Sequence, residues 1–105
     1  MAIYMQSTIE LKADGVERFT ETMKEVIAIV EPIGWRLVTA VMHVTGRLHT
    51  GIDLWEMEDL NTYQRGLATL RGHPRFAAIG KVLSETIERE TVVLGVRAGW
   101  VPEGR

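Results

Sequence analysis

No cysteine occurs in the 105-residue chain, which excludes disulfides, thiolate metal sites and a cysteine nucleophile. Long apolar runs are missing as well. The longest uncharged, mainly apolar stretch is Leu37 to Met42, far short of the roughly 20 residues a membrane span needs, so no membrane association is expected. An excess of basic charge is also lacking: 12 Lys and Arg against 14 Asp and Glu leave a net charge of −2. Arg65, Arg71 and Arg75 come nearest to a basic cluster, but their spacing does not keep them on one helical face. Phosphate-backbone binding needs a basic stripe, so nucleic acid is not an expected partner. Met1-Ala2-Ile3-Tyr4 has no basic region ahead of an apolar one, as a signal peptide would, and a cytoplasmic location is expected.

What remains is the composition of an ordinary globular protein, 46% hydrophobic and 25% charged. The length suits a single domain over residues 1–98, followed by an irregular tail over 99–105 that holds Pro102 and two glycines. A domain this small buries only about 65% of its unfolded surface, so self-association would help it.

Hydrophobic periodicity marks out the elements. Residues 2–12 alternate, with Ile3, Met5, Ile9 and Leu11 on one face and Tyr4, Gln6, Thr8 and Glu10 on the other, the period of a strand. Asp14 suits the N-cap of the helix that follows, whose stripe is Val16, Phe19, Met23, Val26, Ile27 and Val30, and which Pro32 and Gly34 end. Trp35 to Thr45 reads as a second strand, with Val38, Ala40, Met42 and Val44 on one face and Trp35, Leu37, Val41 and His43 on the other. Both faces are largely apolar, so both should be covered. A turn over Gly46–Gly51 leads to a third strand, Ile52–Met57, and Glu58 and Asp59 suit the start of the next helix. Leu60, Tyr63, Leu67 and Leu70 form one helical stripe. Gly72-His73-Pro74 interrupts it, and Phe76, Ile79, Val82, Leu83 and Ile87 form another. The charged run Glu85, Glu88, Arg89 and Glu90 is expected to be a solvated helix end, and Thr91–Val96 a final strand.

Strand, helix, strand, strand, helix, strand is the split β-α-β order of a ferredoxin-like α+β fold. One antiparallel sheet with helices on one face leaves its other face in need of cover. A twofold homodimer is the simplest way to supply it.

Few side chains are equipped for chemistry. His43 shares its alternation face with Val41, Leu37 and Trp35 and could move a proton in an apolar cavity; the other reading is a strand-end histidine bonded to a backbone group. His49 lies in the presumed turn, and His73 precedes Pro74 at the helix break, where it either caps the next helix or orients a ligand. Asp53, two before Trp55 in an otherwise apolar strand, is costly unless hydrogen-bonded or solvated, so it is either a site carboxylate or half of an ion pair. Tyr63 could donate a proton or simply pack. No pair of histidines has metal-site spacing, and no Gly-x-Ser-x-Gly or phosphate-cradling loop occurs.

Ile52-Asp53-Leu54-Trp55-Glu56-Met57-Glu58-Asp59-Leu60, with Tyr63, Arg65 and His73-Pro74-Arg75-Phe76, resembles the NIPSNAP group of the dimeric α/β-barrel superfamily. The same stretch is similar, more loosely, to antibiotic-biosynthesis monooxygenases and small polyketide cyclases. The likeness covers about residues 51–83. It implies a dimeric α/β barrel with a cavity between each subunit's sheet and helices. Members use that cavity for cofactor-free oxygenation, cyclisation or isomerisation, for haem binding, or for no established catalysis. The acid-x-Trp strand signature falls on Asp53 and Trp55, whereas the histidine of the following helix is not matched, since Tyr63 and Gln64 stand there.

The expected function is acid/base chemistry on an apolar or aromatic small molecule, without cofactor or metal. His43 or Asp53 would be the base, and Tyr63 and His73 would orient or protonate. Trp35, Met42, Trp55 and Phe76 would pack on the substrate. A non-catalytic binding or interaction protein is the second reading, and haem binding, with His73 as a displaced ligand, the third.

Overall fold

The sheet has four strands, all antiparallel, in the order β2-β3-β1-β4. In a computed structural model that describes residues 1–105, the elements follow as β1 (Ile3–Leu11), α1 (Val16–Val30), β2 (Arg36–Met42), β3 (Thr50–Met57), α2 (Leu60–Arg71), α3 (Phe76–Thr86) and β4 (Ile87–Gly95). This is the expected ferredoxin-like α+β fold, with α2 and α3 together filling the place of its second helix. No helix is long and apolar enough to cross a membrane.

Alternation along β1 and β3 assigns the two faces. Met5, Ser7, Ile9 and Leu11 are buried under the helices with Asp53, Trp55 and Met57, while Gln6 is exposed on the other face. The apolar core falls into two clusters. Met5, Val30, Trp35, Trp55 and Met57 form one, Ile9, Leu11 and Phe19 the other, and Met23 of α1 packs against both.

β2 departs from the expected alternation. Leu37 stands opposite Trp55 but Thr39 opposite Leu54, so Val38 is an extra residue, a β-bulge. Leu37 therefore shares the helix-side face with Ala40 and Met42, which oppose Asp53 and Gly51, and Val41 opposes Ile52 on the open face. Since a one-residue slip exchanges every later side chain between faces, the face proposed for Trp35, Leu37, Val41 and His43 together does not exist.

The helix ends also differ from expectation in part. Asp59 caps α2, its Oδ1 accepting from the Thr62 backbone N–H at 2.8 Å and from Thr62 Oγ1 at 2.9 Å. These bonds hold its carboxyl below the usual aspartate range. Asp14 does not cap α1; it lies in a 3-10 turn, and Gly15 occupies the N-cap position. Gly15 passes so close to Thr86 that a Cβ there would come 3.0 Å from the Thr86 Cβ. At the break, the His73 Nδ1 accepts from the Arg75 N–H at 3.0 Å just ahead of α3.

α3 runs into β4 without a loop. The run Glu88-Arg89-Glu90, expected at a solvated helix end, is strand instead. Ile87 already pairs with Leu11, Arg89 with Glu10 and Glu90 with Ile9, so ladder hydrogen bonds along β1 override the helical periodicity of Ile87.

Candidate functional site

Two hollows lie between the sheet and α1. The first, about 210 Å³, reaches from Trp35 and Tyr63 to Leu83 and Glu90; the second, about 240 Å³, reaches from Lys24 to Met42. Ile9, Phe19, Met23 and Asp53 belong to both walls, so these residues mark the boundary between the two lobes.

An aromatic cluster builds one end. The Trp35 ring stacks on Tyr63 at 5.6 Å and 7° and meets Trp55 edge-on at 5.7 Å and 70°. Its indole N–H donates to the Thr62 carbonyl at 3.0 Å, so the residue that receives the α2 cap also fixes the indole. Gly66 leaves room for it: a Cβ at that position would fall 2.1 Å from the Trp35 Nε1.

Asp53 is 9% exposed. It has Ala40 beside it on β2 and Ser7 beside it on β1, neither of which carries charge. No lysine or arginine pairs with it, since every one in an ion pair serves another acid, and the donor that acts on its carboxyl is the Trp55 indole N–H. Burial pushes its carboxyl above the usual aspartate range, and the Trp55 indole on the same face only partly offsets this. Glu90 reaches the first lobe from the edge strand, on the helix-side face beside Ile9. Although exposed as a residue, its carboxyl is partly withdrawn from water, which raises its pKa, and the charge of Asp53 raises it further.

The structure thus brings Asp53, Tyr63, Trp35 and Trp55 together around the first lobe, and Met42 beside Asp53 in the second. It does not bring in His43, His73 or Phe76. The bulge puts His43 beyond Val41, where its Nδ1 lies 3.1 Å from the Arg47 carbonyl, the backbone-bonded strand-end histidine of the alternative reading. His73 bonds the Arg75 N–H ahead of α3 and does not cap the helix, and Phe76 is 38% exposed; neither lines a lobe. His49 occupies the β2–β3 loop with a φ of 62°. Glu90 is the site residue that sequence reasoning missed. Beginning the last strand at Ile87 puts Glu90, Val92 and Leu94 in alternation on the face of Ile9, Ser7 and Met5.

No cluster of three or more His, Asp or Glu suited to a metal ion occurs. No histidine lines either lobe, so a haem would not find there the axial ligand expected of His73.

No protein-family model matches the chain, and no curated protein does. Solved structures match it along nearly its whole length. A NIPSNAP-like domain protein from Burkholderia xenovorans is 24% identical with a TM-score of 0.79, covering 96% of this chain and 89% of that one. A NIPSNAP family protein from Agrobacterium tumefaciens is 20% identical with a TM-score of 0.83, covering 98% and 99%. SnoaB, a cofactor-independent oxygenase from Streptomyces nogalater, is 13% identical with a TM-score of 0.76, covering 97% and 98%. The chain shares its fold with these proteins, as the resemblance over residues 51–83 led us to expect.

Proposed function

We propose that the chain is a small-molecule enzyme that acts on an apolar, aromatic substrate by proton transfer without a cofactor, with Asp53 as the acid/base group. The observation that carries this reading is a buried carboxyl, without a counter-ion, on the wall of an apolar hollow. A raised carboxyl pKa brings proton exchange closer to neutral pH, where general acid/base catalysis is most effective. Trp55 and Trp35 offer flat apolar surface to a ring, and the Tyr63 hydroxyl is the available proton donor. The fold shared with a cofactor-independent oxygenase agrees with this class of chemistry.

Hydrogen–deuterium exchange of tetralones in D2O, followed by NMR, tests the assignment. Wild-type protein should exchange the protons beside the carbonyl faster than buffer does, and Asp53→Asn should slow this by about a hundredfold or more. Saturation-transfer contacts with both proteins, but exchange with neither, would replace it with the second reading, a non-catalytic binding protein. That reading is favoured by the placement of His43 and His73 outside the hollows, which leaves carboxyls and one phenol as the proton carriers.

We also propose that two copies pair through the open face of the sheet. Its acids are paired within the chain at either end: Glu56 accepts from Arg36 and from the Tyr4 hydroxyl, while Glu10 pairs with Arg47 and Arg89. Between them Ile52, Leu54, Val41 and Val93, of which Val41 is 52% and Val93 57% exposed, are interspersed with Gln6, Thr8, Thr39 and Thr91. Sedimentation at micromolar concentration should give a dimer; a monomer there overturns the pairing.

A further inference from the structure

Of the sixteen residues around the first lobe thirteen are hydrophobic, and the other three are Ser7, Asp53 and Glu90. Every charge the chain turns into that lobe is therefore negative. The second lobe adds one cation, Lys24, but it is 67% exposed and its Nζ lies 3.0 Å from Glu21. Elsewhere several acids have counter-ions. Arg18 pairs with Glu85, Arg36 with Glu56, Arg47 with Glu10 and Glu88, and Arg75 with Glu25. Glu17, Glu31 and Glu58 also lack an ion pair but stand exposed to water, whereas Asp53 is buried without one.

We propose that the natural occupant is a lipophilic amine, whose protonated nitrogen is held by Asp53 and Glu90 while its apolar body packs against Trp55 and Phe19. The proposal rests on reading the hollow as a ligand site, and it names the class of molecule that site takes. An anionic ligand would add a third negative charge to an apolar space. A neutral one would leave both carboxyls as they are. A cation supplies the missing partner. Desolvation normally offsets most of the gain from a buried ion pair. Here the folded chain already bears that cost for Asp53, and the ligand's charge recovers Coulomb energy against it. Burial and mutual repulsion both disfavour the charged forms of the two acids in the empty protein, and both effects relax when a positive charge enters. Trp55, Trp35 and Phe19 belong to the same wall, and aromatic rings attract a cation near them. Asp53 lies at the boundary of the two lobes and Glu90 at the edge-strand side of the first, so the nitrogen belongs in the first lobe.

Tryptamine, tryptophol and indoleacetate share one apolar body and differ in charge, and isothermal titration near neutral pH compares them directly. We expect tryptamine to bind about tenfold or more tightly than tryptophol, a difference worth about 1.4 kcal/mol, and indoleacetate to bind most weakly. Asp53→Asn should abolish most of the advantage of tryptamine and leave tryptophol affinity within a factor of about two, since the isosteric amide keeps the shape of the wall. Glu90→Gln, at an exposed position that cannot upset the core, should remove a smaller share. Tryptophol binding as tightly as tryptamine, or an advantage that survives both substitutions, overturns the amine and leaves the hollow as a site for neutral ligands. Failure of all three to bind overturns both this proposal and the reading beneath it.

Discussion

The two faces of the sheet treat their acids in opposite ways. On the open face Glu56 is held by Arg36 and Tyr4, and these bonds keep its carboxyl below the usual glutamate range. Glu10 on the same face lies between Arg47 and Arg89. On the helix side Asp53 and Glu90 have no such partners, and both carboxyls are pushed up. Folding alone favours the first arrangement, because a buried carboxyl without a partner costs stability. Asp53 is the buried acid of the chain, and no counter-ion offsets its loss of water.

The largest effect should come from the wall of the hollow. Trp35→Ala removes the stacked partner of Tyr63, the edge contact to Trp55 and the donor to Thr62. We expect a loss of about 3–5 kcal/mol in chemical denaturation, the usual cost of truncating a buried aromatic. A loss below about 1 kcal/mol would mean that the aromatic end is not packed as described. Gly66→Ala should follow at about 1–3 kcal/mol, since its methyl enters the space of the same indole.

Asp53→Asn should act in the other direction. An acid whose folded pKa lies above its unfolded value leaves stability untouched below the unfolded pKa and lowers it as the pH rises through the folded one. The substitution should therefore raise the melting temperature near neutral pH, by roughly 2–6 °C. The gain should shrink to nothing as the pH falls toward the ordinary aspartate value of 3.8. Glu90, Tyr63 and Lys24 are the other titratable groups on the two walls, and the Asp53→Asn, Glu90→Gln double variant separates the contribution of Glu90. A neutral-pH loss of stability in Asp53→Asn would erase the contrast between the faces.

The smallest effect belongs to the open face. Glu56 gains from its partners above the unfolded glutamate pKa of 4.5 and loses that gain as the pH falls through its lowered folded value. Arg36 is 64% exposed, so water and salt screen the pair. Glu56→Gln should cost less than about 1 kcal/mol and should cost less still at high salt.

The order of elements was legible because the stripes of β1, α1 and α2 are long and periodic, and the start of α2 was legible because the negative charge of Glu58 and Asp59 suits a helix N-terminus; the capping bonds of Asp59 were not foreseen. The bulge at Val38 was not. Trp35 to Thr45 is apolar at nearly every position, so nothing in its pattern marks where the faces exchange. That single residue decided the placement of His43. Glu90 was hidden for a related reason: charge beside a helical stripe reads as solvent-facing, and only pairing with β1 shows that the strand begins at Ile87. Asp53 was legible because a charge in a short apolar strand is expensive in any register.

The bulge has a consequence beyond the placement of side chains. β2 is one of the two edges of the sheet, and an edge of regular, flat strand is a template on which a further chain can add its own backbone. An extra residue at Val38 interrupts the even spacing of unpaired amides and carbonyls and increases the local twist. The same extra residue makes this border of the fold a poorer template for a further strand.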